Sequence, residues 1–245
     1  MKVQCPAFTG TACRDPYRKP PKAIAMTTLR IDAVYDFLCP WCHVGKRHLA
    51  LAMAAEQSQP QPLAIEVNWH QFMLYPHFDR GGHDFLAFFR EKYGETLRVP
   101  MWDQIRAVAE PIGINFAFEQ MTRGPASIDG HRLVRWAEAR SPGVSSAMIE
   151  DIARSFYEEA KVIDMAFLVG LAQAHGLDAA AARTHLESSA DLQAPFDETE
   201  SWRARGVTSM PHYVLTLPDG GVEIIRQTSI EAFAAVFDTA RKVAA

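Results

Sequence analysis

Two cysteines separated by two residues, Cys39-Pro40-Trp41-Cys42, stand where a β-like run gives way to a helix-like one. A thiolate attacks disulfides and a thiol does not. Free N–H groups at a helix N-terminus, together with the helix dipole, favour the anion. Cys39 falls at the expected N-cap, where the N–H groups of the first helical turn can aim at its sulfur. Pro40 suits the first helical position because its missing N–H is not needed there. Cys42 lies one turn on, on the same face, able to close the ring and release a mixed disulfide. Cys39 is therefore the expected nucleophile and Cys42 the resolving thiol. His43, Lys46 and Arg47 on the same helix would strengthen the thiolate, although Lys46 and Arg47 read first as a solvated helix face. Asp36, read as the end of the preceding strand, is a carboxylate that could shuttle the Cys42 proton or pair with a nearby base. Asp36 and His43 are thus the candidate modulators.

Zinc is the rival use of such a pair, and it needs four ligands, usually as two close pairs. Cys5 and Cys13, the other two cysteines, are separated by seven residues in a proline-rich stretch. That spacing is unusual for zinc, whereas a proline inside a pair set between strand and helix suits redox exchange; no metal is expected. His70, His77 and His83 fit no ligand set and read as solvated loop histidines. His131 reads as a packed, hydrogen-bonded histidine. Phe85, Phe88 and Phe89 read as core, or as lining of a cleft facing the cysteines.

The elements that position the pair follow from periodicity. Residues 31–37 alternate like a strand, helical spacing then runs through Val44, Leu51, Ala52 and Ala55, and Leu63, Ile65, Val67 and Trp69 alternate as a second strand. Helical spacing recurs over 83–93, 101–112, 127–140, 145–160, 164–175 and 178–188, with breaks at Gly94, Gly113, Gly124-Pro125, Pro142-Gly143 and Gly176. Asp178 is a plausible N-cap, and Glu110-Pro111-Ile112-Gly113 ends a helix. Residues 212–217 and 222–226 form a hairpin around Pro218-Asp219-Gly220-Gly221, and Ser229 caps a last helix. A βαβ half and a ββα half thus flank a helical block, as two halves of one sheet with an inserted subdomain. Residues 1–28, with Pro6, Pro16, Pro20 and Pro21 and no hydrophobic period, read as an irregular arm. Met26, just before the first strand, could be the start of the natural chain.

Composition narrows the function classes. The chain has 245 residues, 48% hydrophobic and 22% charged, with a net charge of −4. This is globular composition, and the charge argues against a nucleic-acid partner. No run reaches the roughly 18 apolar residues of a bilayer span, and residues 1–25 lack the apolar core of a secretory signal. The expectation is a cytoplasmic protein that engages no membrane. Nothing in the sequence specifies an oligomeric state.

The stretch Tyr35-Asp36-Phe37-Leu38-Cys39-Pro40-Trp41-Cys42-His43-Val44-Gly45-Lys46 resembles the active-site segment of DsbA-family thioredoxin-fold oxidoreductases of the FrnE-like subgroup. The likeness continues through Trp69-His70-Gln71-Phe72-Met73-Leu74-Tyr75-Pro76, Lys92-Tyr93-Gly94 and Gly130-His131-Arg132-Leu133. It ends at Gly206-Val207-Thr208-Ser209-Met210-Pro211, which is similar to the loop carrying the fold's cis-proline. The chain departs from that pattern at His43, where the subgroup usually has tyrosine, at Ser127-Ile128, and at Arg226-Gln227-Thr228. The resemblance implies an α/β thioredoxin fold over 29–76 and 190–245 with an all-helical insertion over 77–189. It also implies thiol–disulfide exchange with protein or small-thiol partners. No cofactor beyond the Cys39–Cys42 disulfide is implied, with glutathione as a candidate co-substrate. Pro40, Trp41, Met210 and Pro211 become candidate substrate-binding residues, with a cis Met210–Pro211 bond packed near Cys39. Two other functions share this architecture or its cleft. One is glutathione-dependent isomerisation or transfer of the chromene-carboxylate or kappa-class type, whose enzymes typically carry serine at the first cysteine position. The other is a non-catalytic chaperone or binding module.

Overall fold

The computed structural model describes residues 28–244. The arm through residue 27, with Cys5, Cys13 and Met26, lies outside the described residues. The first strand, β1 (Thr28–Tyr35), begins at Thr28, which the sequence pattern assigns to the arm, and ends before Asp36 and Phe37. The early ending has a local cause: the Asp36 carboxylate accepts the Leu38 N–H at 3.0 Å and turns the chain out of the sheet. Helix α1 (Pro40–Gln57) follows, then β2 (Ala64–Gln71), which pairs parallel to β1 from Thr28↔Ala64 to Tyr35↔Gln71. The chain returns to this sheet through β5 (His212–Thr216) and β6 (Val222–Ile225) and closes with α8 (Ile230–Ala244). Strand order is β2-β1-β5-β6, with β5 antiparallel to β1 and β6 antiparallel to β5.

β1 is central, and buried side chains pack on both of its faces. Leu29, Ile31 and Ala33 pack with Leu49 and Ala52 of α1 and with Phe233 and Phe237 of α8. Val34 points the other way, toward Phe72, Trp202 and Val207. Trp202 belongs to α7 (Ala194–Ala204), a helix that periodicity does not reveal. Its buried residues are only Pro195, Thr199 and Trp202, too few and too polar to show an apolar stripe.

Between β2 and α7 the chain forms β3 (His83–Asp84), α2 (Phe85–Ala109), β4 (Arg123–Gly124), α3 (Ser127–Glu138), α4 (Ser145–Tyr157), α5 (Met165–Ala174) and α6 (Ala179–Glu187). The two helices expected over 83–112 are one element broken at Gly94, whose φ of 71° is the left-handed region that glycine adopts without strain. The block is helical except for the antiparallel β3–β4 pair, two residues a side, which periodicity cannot register. Asp84, Asp164 and Asp178 cap α2, α5 and α6 by accepting N–H groups three residues on. The expected cap at Ser229 is present, its Oγ accepting the Ala232 N–H at 3.0 Å. Phe85, Phe89, Trp102, Phe118, Phe156 and Tyr157 build this block's core, and Cys39, Cys42 and Val44 pack into the same cluster. The cysteine turn is therefore the seam between the sheet and the helical block.

Candidate active site

Cys39 occupies the N-cap of α1 with extended backbone (φ −106°, ψ 105°), and Pro40 takes the first helical position. The Cys39 N–H donates to the Asp36 carbonyl at 3.2 Å and the Cys42 N–H to the Cys39 carbonyl at 2.9 Å, which fixes one tight turn around the pair. The two sulfurs are not joined; both cysteines are free and buried, 6% and 7% exposed. The Cys39 side chain accepts no capping bond from the first turn. The expected N–H bonds to its sulfur are thus not made, and the helix end acts on Cys39 through its field alone. Burial pushes the Cys42 thiol well above its ordinary range, and its hydrogen bond with Cys39 adds to the rise. A resolving thiol held protonated until needed fits that environment.

Asp36 is wholly committed to structure. Besides Leu38, its other carboxylate oxygen accepts the Leu74 N–H at 2.6 Å, clamping the β1–α1 turn to the segment after β2. His131 stands 3.7 Å from it, buried between the Tyr35 and Phe37 rings, with Nε2 3.1 Å from the Phe72 carbonyl. This is the packed histidine the sequence suggested.

Two concavities meet at the pair. An apolar cleft of about 150 Å³ includes Cys39, Pro40 and Trp41 and is walled by Phe85, Phe88 and Phe89, so these phenylalanines are core and cleft lining at once. Trp41 is 36% exposed at its rim. On the inner side, a cavity of about 10 Å³ is lined by Cys39, Cys42, Tyr35, His43, Trp69 and Tyr157, among others. The Met210–Pro211 bond is cis, as expected. A Cβ on Gly45, one residue short of a full turn beyond Cys42, would lie 3.1 Å from Pro211 Cγ and 3.0 Å from Tyr213 Oη. The missing side chain lets the proline loop close onto the cysteine helix. Met210 packs against the cluster that contains both cysteines.

The basic residues after the pair depart from expectation. Lys46 is 8% exposed, with Nζ 2.8 Å from Glu150 and 5.7 Å from the Trp69 ring centre. Arg47 reaches Glu150 at 3.5 Å. Instead of a solvated face, this side of α1 docks on α4, because the helical block supplies carboxylates opposite it. His43 is buried, with Nε2 3.0 Å from Glu158 and its ring stacked on Tyr157. The loop histidines divide. His77 is exposed, whereas His83 sits against Phe78 with ring centres 4.1 Å apart. His70 lies in β2, with its nitrogens 3.0 Å from Asp32 and 3.0 Å from Glu198, and those carboxylates raise its pKa to about 9 against the cost of burial. Glu150, Tyr157 and Glu158 had no signal in the sequence, since their role arises from α4 packing across α1. Among the described residues, no group of three or more His, Cys, Asp or Glu side chains could hold a metal ion. No described helix is long and apolar enough to cross a membrane.

Residues 30–238 match the model of the DSBA-like thioredoxin domain family. Among solved structures, a probable DsbA oxidoreductase from Streptomyces coelicolor is 25% identical, with a TM-score of 0.75 over 87% of this chain and 90% of that one. The cytosolic disulfide reductase DsbM from Pseudomonas aeruginosa, solved with GSH, is 16% identical, with a TM-score of 0.60 over 87% and 99%. A 2-hydroxychromene-2-carboxylate isomerase is 15% identical, with a TM-score of 0.59 over 87% and 95%. No curated protein matches the chain.

Proposed function

Because the chain belongs to the DSBA-like thioredoxin-domain family, an enzyme family of disulfide oxidoreductases and isomerases, we propose that it exchanges disulfides with protein or small-thiol substrates through Cys39 and Cys42. The observation that carries this reading is the pair itself: Cys39 at the N-cap of α1, hydrogen-bonded to a Cys42 whose thiol is held protonated, beside an apolar cleft.

In that reading the Cys39 thiolate attacks one sulfur of a substrate disulfide. A Cys39–substrate bond forms as the substrate S–S bond breaks, and the other half leaves as a thiolate. Cys42 then gives up its proton and attacks Cys39 Sγ, which forms the Cys39–Cys42 disulfide and releases the first half. Two substrate sulfurs are reduced and two enzyme sulfurs oxidised. Two thiol molecules restore the dithiol, and we propose glutathione for that role, supported by the glutathione held by the DsbM neighbour. Pro40, Trp41, Met210 and Pro211 are the proposed substrate contacts, and residues 77–189 the insertion that walls the cleft. The FrnE-like pattern around the pair and a cytoplasmic location complete the proposal; a cytosolic structural neighbour supports the latter.

Insulin reduction by dithiothreitol tests it. The protein should accelerate precipitation, Cys39→Ser should abolish the effect, and Cys42→Ser should accumulate mixed disulfides visible by mass spectrometry. No acceleration, with glutathione-dependent isomerisation of a chromene carboxylate instead, would overturn the redox reading in favour of the isomerase. Neither activity would leave a binding module.

A further inference from the structure

The resolving step requires a base, because Cys42 is buried and its thiol is pushed up. Asp36 is poorly suited to that task, since its two carboxylate oxygens each accept a backbone N–H. The inner cavity offers another candidate. Three side chains that line it carry a buried polar atom with no hydrogen-bond partner: Tyr35 Oη, Trp69 Nε1 and His43 Nδ1. Buried polar atoms are nearly always partnered, and three around one small cavity call for a shared explanation. A volume of about 10 Å³ accommodates the centre of roughly one water, which needs two to four polar neighbours. Trp69 can only donate, Tyr35 can donate or accept, and the role of His43 Nδ1 is set by its other nitrogen. Glu158 Oε1 lies 3.0 Å from His43 Nε2, and a carboxylate there accepts a hydrogen bond from the Nε2–H. In the neutral ring Nδ1 is then left as an acceptor.

We propose that this cavity is a water site joining Cys42 to His43, and that His43, oriented by Glu158 at the C-terminal end of α4, takes the Cys42 proton during resolution. The inference rests on the redox reading above. The proton passes from Cys42 Sγ through the water to His43 Nδ1. The freed Cys42 thiolate attacks Cys39 Sγ, the Cys39–substrate bond breaks, and the substrate departs as a thiolate, so no further oxidant or reductant enters. Other ionisable groups face the ring. Lys46 and Arg47 lie on α1 itself, and Glu150 and Tyr157 come from α4. Tyr35 and Asp36 lie across the cavity. Burial and the nearby thiols hold Tyr157 well above the ordinary tyrosine range, as burial does Tyr35, so both stay protonated while His43 cycles. The helical block thereby contributes a positioning residue, Glu158, to chemistry on the thioredoxin helix.

The test separates the two sulfur-exchange steps. Full-length protein carrying Cys5→Ser and Cys13→Ser, fully reduced, is mixed with dithiobis(nitrobenzoate) in a stopped-flow instrument. One coloured thiolate is released when Cys39 attacks and a second when Cys42 resolves the mixed disulfide. His43→Phe, added to this background, should slow the second phase ~100-fold or more, the range of a lost general base, and affect the first far less. Its second phase should then rise in proportion to hydroxide, as it must when solvent alone removes the Cys42 proton. Glu158→Gln, which keeps the packing, should slow the second phase by roughly 10-fold. A second phase unchanged in both variants overturns the relay, and so does equal slowing of both phases, which would mark His43 as packing alone. A parent that releases no second equivalent overturns the Cys39–Cys42 reading instead, a result distinct from either.

Discussion

Replacing His70 with glutamine tests whether the sheet is pinned to α7 by a charged histidine. His70 joins three elements: it stands in β2, its Nε2 meets Asp32 of β1, and its Nδ1 meets Glu198 of α7, each at 3.0 Å. Two carboxylates favour the imidazolium, and the pKa rises from the ordinary 6.5 to about 9. Asp32 is correspondingly held below the usual carboxylate range by the same contact, against its own burial. The His70 rise corresponds to about 3 kcal/mol at 1.36 kcal/mol per pH unit. With the side chain 27% exposed, about 2 kcal/mol is the appropriate figure after solvent screening. The direction follows from linkage. The folded pKa lies above the unfolded one, so the stabilisation is complete below about pH 6.5 and is lost as pH rises through about 9. For a chain of this size ~2 kcal/mol corresponds to about 4–8 °C in Tm. Thermal unfolding of the parent and His70→Gln from pH 6 to pH 10 should show the parent ahead by that margin at the acid end, with the gap closing toward the alkaline end. Common titrations, the thiols included, cancel in the difference. A gap that stays constant across the range would mean that folding leaves the His70 pKa unchanged, and the ion-pair argument would be refuted.

Iodoacetamide labelling followed against pH should modify Cys39 before Cys42, because burial and the Cys39 hydrogen bond hold the Cys42 thiol protonated. Cys42 labelling first would reverse the assignment of nucleophile and resolving thiol. Gly45→Val should cost about 1–3 kcal/mol by overpacking, since the new atoms would press on Pro211, Tyr213 and Thr228, the nearest 3.0–3.2 Å from the added Cβ. It should also slow insulin reduction by displacing the proline loop, and a variant with parental Tm and rate would show that the loop is not held there. A chain beginning at Met26 should keep its Tm and its insulin-reducing rate, because the arm's composition offers no packed element. A large loss of either would restore a role to Cys5 and Cys13.

The local chemistry of the site is legible in the sequence itself. A strand, a Cys-Pro-Trp-Cys turn and a helix are readable because each depends on neighbours a few residues away: alternation for β1, Pro40 at the first helical position, and three-to-four spacing for α1. The capping Asp178 and Ser229 are legible for the same reason. Contacts between residues far apart in sequence are not. Lys46 reads as a solvated lysine until Glu150, 104 residues later, is set against it. His70 reads as a loop histidine until Asp32 and Glu198 close on it. α7 escapes detection because its place is fixed by packing on β2 and α3 through three buried residues, without an apolar stripe of its own. His43 is visible only as the neighbour of a reactive cysteine; its carboxylate, its stacked tyrosine and the cavity it lines come from α4 and its C-terminal end. Periodicity and capping are properties of a short stretch of chain, so the sequence alone determined the cysteine turn and the extents of α3 to α6 and α8, which carry apolar spacing or a cap. Desolvation and long-range charge pairing arise only when separate elements pack together, so the environment of the thiols was decided by the tertiary structure.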